Sequence, residues 1–94
     1  MVEGDKLGGV CLNKGCIPSK ALIASAEQYK RMKEASTFGI TLSSPPVYDW
    51  VAMRARKDKI VGMLVGGIGQ LFKSHGVEHF AGYGRIGGKN SVIV

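Results

Sequence analysis

The sequence predicts two long amphipathic helices followed by a small β-ribbon, an arrangement too open to be a complete domain. Three observations carry this. Apolar residues recur at spacings of three and four in two separate stretches, one opening at Pro18 and the other at Asp49. After Gly76, short β-branched and aromatic runs are divided by glycines. Three such short strands offer too little surface to cover the apolar faces of both helices. The 94 residues are 45% hydrophobic, which is ordinary for a globular chain and leaves room for one domain at most.

In the first helix, Ala21, Leu22, Ala26, Tyr29 and Met32 form the repeating face, and Pro18 suits the first helical position because its missing N–H is not needed there. Gly39 and the pair Pro45-Pro46 end it and prevent continuation. Asp49 is the expected cap of the second helix, whose buried stripe is Met53, Ile60, Leu64, Ile68, Leu71 and Phe72, with Gly76 as its stop. Gly62, Gly66, Gly67 and Gly69 lie inside it, which predicts a kink or close packing against another backbone. Val77–Phe80, Tyr83–Ile86 and Ser91–Val94 read as the strands. The chain therefore divides into a helical segment over 8–36, a linker over 37–48, a second helix over 49–75 and a ribbon over 77–94.

Thirteen Lys and Arg against seven Asp and Glu give a net charge of +6. The basic clusters, Lys30–Lys33 and Arg54–Lys59, fall within the helical stretches, where a solvated face accounts for them. No aromatic residues interleave them as a stacking platform requires, so nucleic-acid binding is not expected. No apolar run approaches the ~20 residues of a bilayer span, and no charged-then-apolar leader opens the chain. The expected setting is a reducing cytoplasm.

Cys11 and Cys16 stand five residues apart. Residues so spaced in an ideal helix have Cα atoms roughly 8–9 Å apart, whereas a disulfide rarely tolerates more than about 7 Å. If the two pair, the backbone between them must be distorted, and Gly15 supplies that freedom. A thiol at a helix N-terminus is acidified by the dipole and free N–H groups, and Lys14 and Lys20 push the same way. Such a pair would be a reversible redox couple rather than a structural staple. Spacing alone leaves two ordinary reduced cysteines equally open. A zinc site with His75 and His79 is the third reading, but its spacer is far longer than the ~12–15 residues of a finger. No metal is expected; His75 suits a helix C-terminus and His79 a strand.

The whole stretch Gly8-Gly9-Val10-Cys11-Leu12-Asn13-Lys14-Gly15-Cys16-Ile17-Pro18-Ser19-Lys20 closely resembles the redox-active disulfide signature of the flavin-dependent pyridine nucleotide–disulfide oxidoreductases. Within that family the Leu-Asn and Ile-Pro-Ser-Lys-Ala-Leu wording is most similar to the branch that oxidises dihydrolipoamide; glutathione and mercuric reductases share the cysteines but vary the flanks. The resemblance continues through Phe38-Gly39-Ile40, Asp49-Trp50 and Leu71-Phe72-Lys73 to the ribbon. It implies a Rossmann-like α/β parent fold that binds FAD and NAD. By the same resemblance Cys16 is the flavin-side thiol, Cys11 the interchange thiol and Lys20 the ammonium beside the flavin. Gly8 and Gly9 let the backbone approach the dinucleotide, and Glu3, ending a Val2-Glu3 strand, binds the adenosine ribose. The implied partners are a lipoyl-bearing protein of a 2-oxoacid dehydrogenase or glycine cleavage complex, and a second copy in a homodimer.

Two departures qualify this. Val10 stands where many members have Thr, and no G-x-G-x-x-G opens the chain. The family's phosphate loop is therefore expected before Val2, and its nicotinamide domain and interface domain, with a His–Glu acid/base pair, after Val94. The expectation is a piece of an FAD domain, inactive alone and holding neither cofactor tightly. A different class of expectation is a non-catalytic helical module that associates with itself through uncovered helix faces.

Overall fold

The computed structural model describes residues 1–94. In chain order the elements are β1 (Val2–Glu3), α1 (Gly9–Lys14), α2 (Cys16–Lys33), a 3-10 turn (Ala35–Phe38), α3 (Trp50–Ser74), β2 (Phe80–Ala81), β3 (Arg85–Gly88) and β4 (Ser91–Ile93). Two long helices, one short helix and two small two-stranded sheets are thus present. The single helix expected over 8–36 is instead two helices separated at Gly15, whose φ and ψ are −119° and −119°. Pro18 is the third residue of α2 rather than the first, with no bond lost: the earliest α2 amide to find a helical partner is Ser19 N–H, donating to Gly15 O at 3.1 Å.

The second long helix follows its local signals closely. Asp49 is extended, and its Oδ1 accepts the Ala52 N–H at 3.0 Å. At the other end His75 Nδ1 donates to Leu71 O at 2.9 Å, and Gly76 turns left-handed at φ 66°. Removing the cap by Asp49→Ala should destabilise α3 by about 1 kcal/mol, seen as a lower midpoint for helix loss in circular dichroism, with Asp49→Ser restoring most of it.

α2 and α3 form an antiparallel hairpin. Near the end closed by the connecting segment the Tyr29 and Tyr48 rings meet edge-on at 5.5 Å, with Lys33 Nζ 5.3 Å from the Tyr29 centroid. Further along, Arg56 Nη1 donates to Ala21 O at 3.2 Å. Small Ala21 is one of only two buried residues in the chain, the other being Ala35. The predicted stripe of α3 is only partly covered: Met53, Ile60, Ile68 and Phe72 are half-buried, but Leu64 and Leu71 are 43% and 58% exposed. α3 runs unbroken through Gly62, Gly66, Gly67 and Gly69, and no other backbone packs on them; a Cβ at any of them would meet nothing within 4 Å. The sequence pattern marks a face prepared for close packing, and no element of this chain lies on it.

The strands are shorter than expected, and one pairing joins the two ends of the chain. Val2 and Glu3 run parallel to Phe80 and Ala81, bonded through Phe80 N–H to Met1 O at 2.9 Å and Gly82 N–H to Glu3 O at 2.8 Å. The strand expected over Val77–Phe80 is confined to Phe80 and Ala81, and His79 precedes it, its ring 6.5 Å from that of Phe72. The Tyr83–Ile86 strand shifts to Arg85–Gly88, pairing antiparallel with Ser91–Ile93 through a bulge between Ile86 and Gly88.

The resulting particle is long, 68 × 24 × 19 Å, with a radius of gyration of 20.5 Å. A compact chain of this length would have about 12 Å. Its accessible surface is 7556 Å², against about 5,200 Å² for a folded protein of its mass. The helices leave large apolar residues exposed, among them Ile23, Trp50, Val51 and Met63. No helix is long and apolar enough to cross a membrane.

Candidate redox site

The site is built between the end of β1 and the start of α2. Glu3 closes β1, and its Oε1 accepts the Asp5 N–H at 3.0 Å, turning the chain toward α1. Asp5 in turn meets Lys14 Nζ at 3.2 Å across solvent-exposed surface. Lys14 is therefore engaged with Asp5, a correction to its expected action on the thiols.

Gly8 and Gly9 are both left-handed, at φ 109° and 74°, a conformation that L side chains resist. Their surroundings differ. A Cβ on Gly8 would lie 2.8 Å from Leu12 Cδ1 and 3.2 Å from Ile68 Cδ1, so Gly8 seats the turn against α1 and α3. A Cβ on Gly9 would meet nothing within 4 Å.

The cysteines come together because the helix is interrupted at one residue. α1 carries Cys11, the chain breaks at Gly15, and α2 begins with Cys16. At Gly15 the backbone passes so close to α1 that an added Cβ would be 3.1 Å from Cys11 Cα and 3.3 Å from Val10 O. Both cysteines are exposed free thiols. Their electrostatics set the two sulfurs apart. The Cys11 thiol is held below the usual range, first by the hydrogen bond from the Cys16 thiol, then by the backbone N–H of Cys16 and of Ile17, with a smaller pull from Lys20. Cys16 is pushed up, chiefly because it donates to Cys11 and sits beside that sulfur's charge. The first N–H groups of a helix point backward along its axis; those of Cys16 and Ile17 act on the Cys11 sulfur, and that of Cys16 acts on its own sulfur as well.

Cys11 is accordingly expected to be alkylated several-fold faster than Cys16 near neutral pH, the two rates converging well above the ordinary thiol pKa of about 8.5. Limited iodoacetamide labelling with peptide mass analysis measures this. For folding, the lowered Cys11 value contributes stability above the unfolded thiol pKa, lost as pH falls through the folded value. The raised Cys16 value contributes stability below the unfolded pKa, lost as pH rises through its folded value. The two oppose each other, so stability should change little across the thiol range while reactivity changes strongly.

Lys20 is exposed, one turn into α2, within reach of both thiols' fields. Neither His75 nor His79 joins the cysteines, and no three His, Cys, Asp or Glu side chains gather as a metal site. Two further residues belong to the site that sequence reasoning does not single out. Asp5 ties both Glu3 and Lys14 to the turn, and Asn13 Nδ2 donates to Leu7 O and Gly9 O, each at 3.0 Å. An Asn inside a helical stretch, where it is a mediocre helix former, is the available signal.

No family model matches the chain. It is 38% identical over 94 residues to a dihydrolipoyl dehydrogenase of Acholeplasma laidlawii, covering 100% of this chain and 28% of that protein. It is 44% identical over 97 residues to a dihydrolipoyl dehydrogenase of Pseudomonas aeruginosa, covering 100% of this chain and 21% of that protein. A leghemoglobin reductase of Vigna unguiculata is 47% identical over 89 residues, covering 94% of this chain and 17% of its own length. The chain thus spans well under a third of the curated relatives it matches. These similarities place it among the pyridine nucleotide–disulfide oxidoreductases. Within that class, its matched stretch is similar throughout to one segment of dihydrolipoyl dehydrogenases.

Proposed function

We propose that this chain forms the redox-disulfide segment of a dihydrolipoyl dehydrogenase, in the Rossmann-like FAD domain of a longer protein. The observation that carries the reading is the interruption at Gly15, which brings Cys11 and Cys16 together at the start of α2 in a chain similar over its whole length to such enzymes. With the pair oxidised, a thiolate of dihydrolipoamide attacks the Cys11 sulfur; the disulfide bond breaks and Cys16 leaves as thiolate. The substrate's second thiol loses its proton and attacks the mixed disulfide, and Cys11 leaves. The substrate departs as the cyclic disulfide, and its electron pair remains on the two cysteines. The helix amides in front of Cys11 favour this second departure. They also suit Cys11 as interchange thiol when the pair runs in reverse.

The chain's residues fit a flavin dinucleotide. Glu3 lies at the carboxyl end of a parallel pair, the end at which open parallel sheets take ligands. It would hold the adenosine ribose, with the Gly8–Gly9 backbone along the dinucleotide and Lys20 beside the flavin. When bound, FAD would take the electron pair from the reduced cysteines and pass it to NAD. The isolated chain should hold neither cofactor tightly, since few of its groups converge on one pocket. Lipoyl-bearing proteins of 2-oxoacid dehydrogenase or glycine cleavage complexes are the partners this reading supplies, with a homodimer as the assembly and the cytoplasm as its place.

The test is a hybrid in which this chain replaces the matching segment of the Pseudomonas aeruginosa dihydrolipoyl dehydrogenase. NAD-dependent oxidation of dihydrolipoamide within tenfold of the parent is the expected outcome; a folded, flavin-loaded hybrid that reduces glutathione disulfide instead would favour another reductase of the class. A second reading rests on the uncovered flanks of α2 and α3: a non-catalytic module associating with its own copies. Concentration-dependent sedimentation of the isolated chain would favour it, and a monomer with dispersed amide resonances would count against it.

A further inference from the structure

We propose that Asn13 is a positioning residue for the cysteine pair: its amide straps the Leu7–Gly9 turn to α1 and so holds Cys11 against the Gly15 break and the start of α2. The proposal rests on the reading of Cys11 and Cys16 as a redox couple. Both hydrogens of the Asn13 amide are used, one on Leu7 O and one on Gly9 O, the two carbonyls flanking Gly8. Its Oδ1 is buried and has no hydrogen-bond partner in the chain. An unpaired buried acceptor and a residue of modest helix propensity are two local costs at one position. What the position gains is the pair of donors.

The tether matters because α1 cannot hold itself in place. It is six residues long, below the length at which a helix persists alone, and no side chain caps it at Gly8. One end joins α2 through the single non-helical residue Gly15. The other follows two left-handed glycines, fixed by the contact of Gly8 with Leu12 and Ile68 and by the Asn13 bonds. Cys11 lies between these two ends. If the turn opens, α1 rotates about Gly15 and Cys11 moves away from the start of α2.

The experiment labels the full 94-residue chain with limiting iodoacetamide at pH 7 and reads the Cys11-to-Cys16 ratio by mass, with helicity followed by circular dichroism. Asn13→Asp removes the donors at constant shape, and Asn13→Ala removes them without adding charge. Ala26→Gly, at an exposed site within α2, is a destabilised control remote from the turn. Both Asn13 variants should lose the Cys11 preference by about fivefold, while the control keeps it. Wild-type preference in either folded Asn13 variant overturns the proposal and leaves the redox pair standing, as does equal loss in the Ala26→Gly control. A wild-type chain with neither a Cys11 preference nor an intramolecular disulfide in oxidising buffer overturns both.

Discussion

Replacing Gly15 by alanine should lower the equilibrium population of the Cys11–Cys16 disulfide at least tenfold, about 1.4 kcal/mol. The two outcomes open to a Cβ at this position both separate the thiols. Kept in its native turn, it presses on the Cα of Cys11 at 3.1 Å and on the carbonyls of Val10 and Cys11 at 3.3 and 3.4 Å, backbone atoms that do not yield independently of α1. If the substituted position relieves that pressure by becoming helical, α1 and α2 fuse into one continuous helix. Cys11 and Cys16 would then be roughly 8–9 Å apart between Cα atoms and on different faces, beyond the reach of a disulfide. Helix content would rise slightly as redox competence falls, an unusual combination that circular dichroism and thiol–disulfide titration together detect. An unchanged disulfide equilibrium in Gly15→Ala would mean that the pairing geometry comes from elsewhere in the chain.

In the hybrid enzyme, Cys11→Ser, Cys16→Ser and the double variant should each lose roughly 10³-fold or more in dihydrolipoamide oxidation, with little difference among the three. Two sulfurs that act as one disulfide are a unit: removing either leaves no S–S bond for the substrate thiolate to break, so removing both adds nothing. Retained flavin in each variant would show that the loss is in the exchange step. A Cys11→Ser hybrid keeping more than a tenth of its activity would exclude this pair as the electron path.

The difference between the two thiols does not follow from their spacing. The motif states that a cysteine opens a helix, and on that basis Cys16 is the one expected to be acidified. Helix amides act on whatever lies ahead of them, however, and what lies there depends on the angle at Gly15. The same holds for Lys14, which helical spacing brings near the cysteines but which Asp5 draws away. Asn13 escapes a reading of the sequence because its role depends on where two carbonyls of a preceding turn point.

The features legible in the sequence are those governed by a few adjacent residues. Asp49 caps α3 because its side chain reaches an amide three residues on, the Pro45-Pro46 pair forbids helix because it lacks N–H groups, and Gly76 ends α3 because it tolerates a left-handed φ. The flexibility needed between Cys11 and Cys16 follows from fixed bond geometry and is equally readable. Tertiary structure decided what joins distant parts. Val2 and Glu3 find Phe80 and Ala81 only after two helices have carried the chain back, which puts the Glu3 carboxylate at the end of a parallel pair. The close approach marked by Gly62, Gly66 and Gly69 is likewise a statement about a neighbour, and it is expressed only where another backbone is present to fill it.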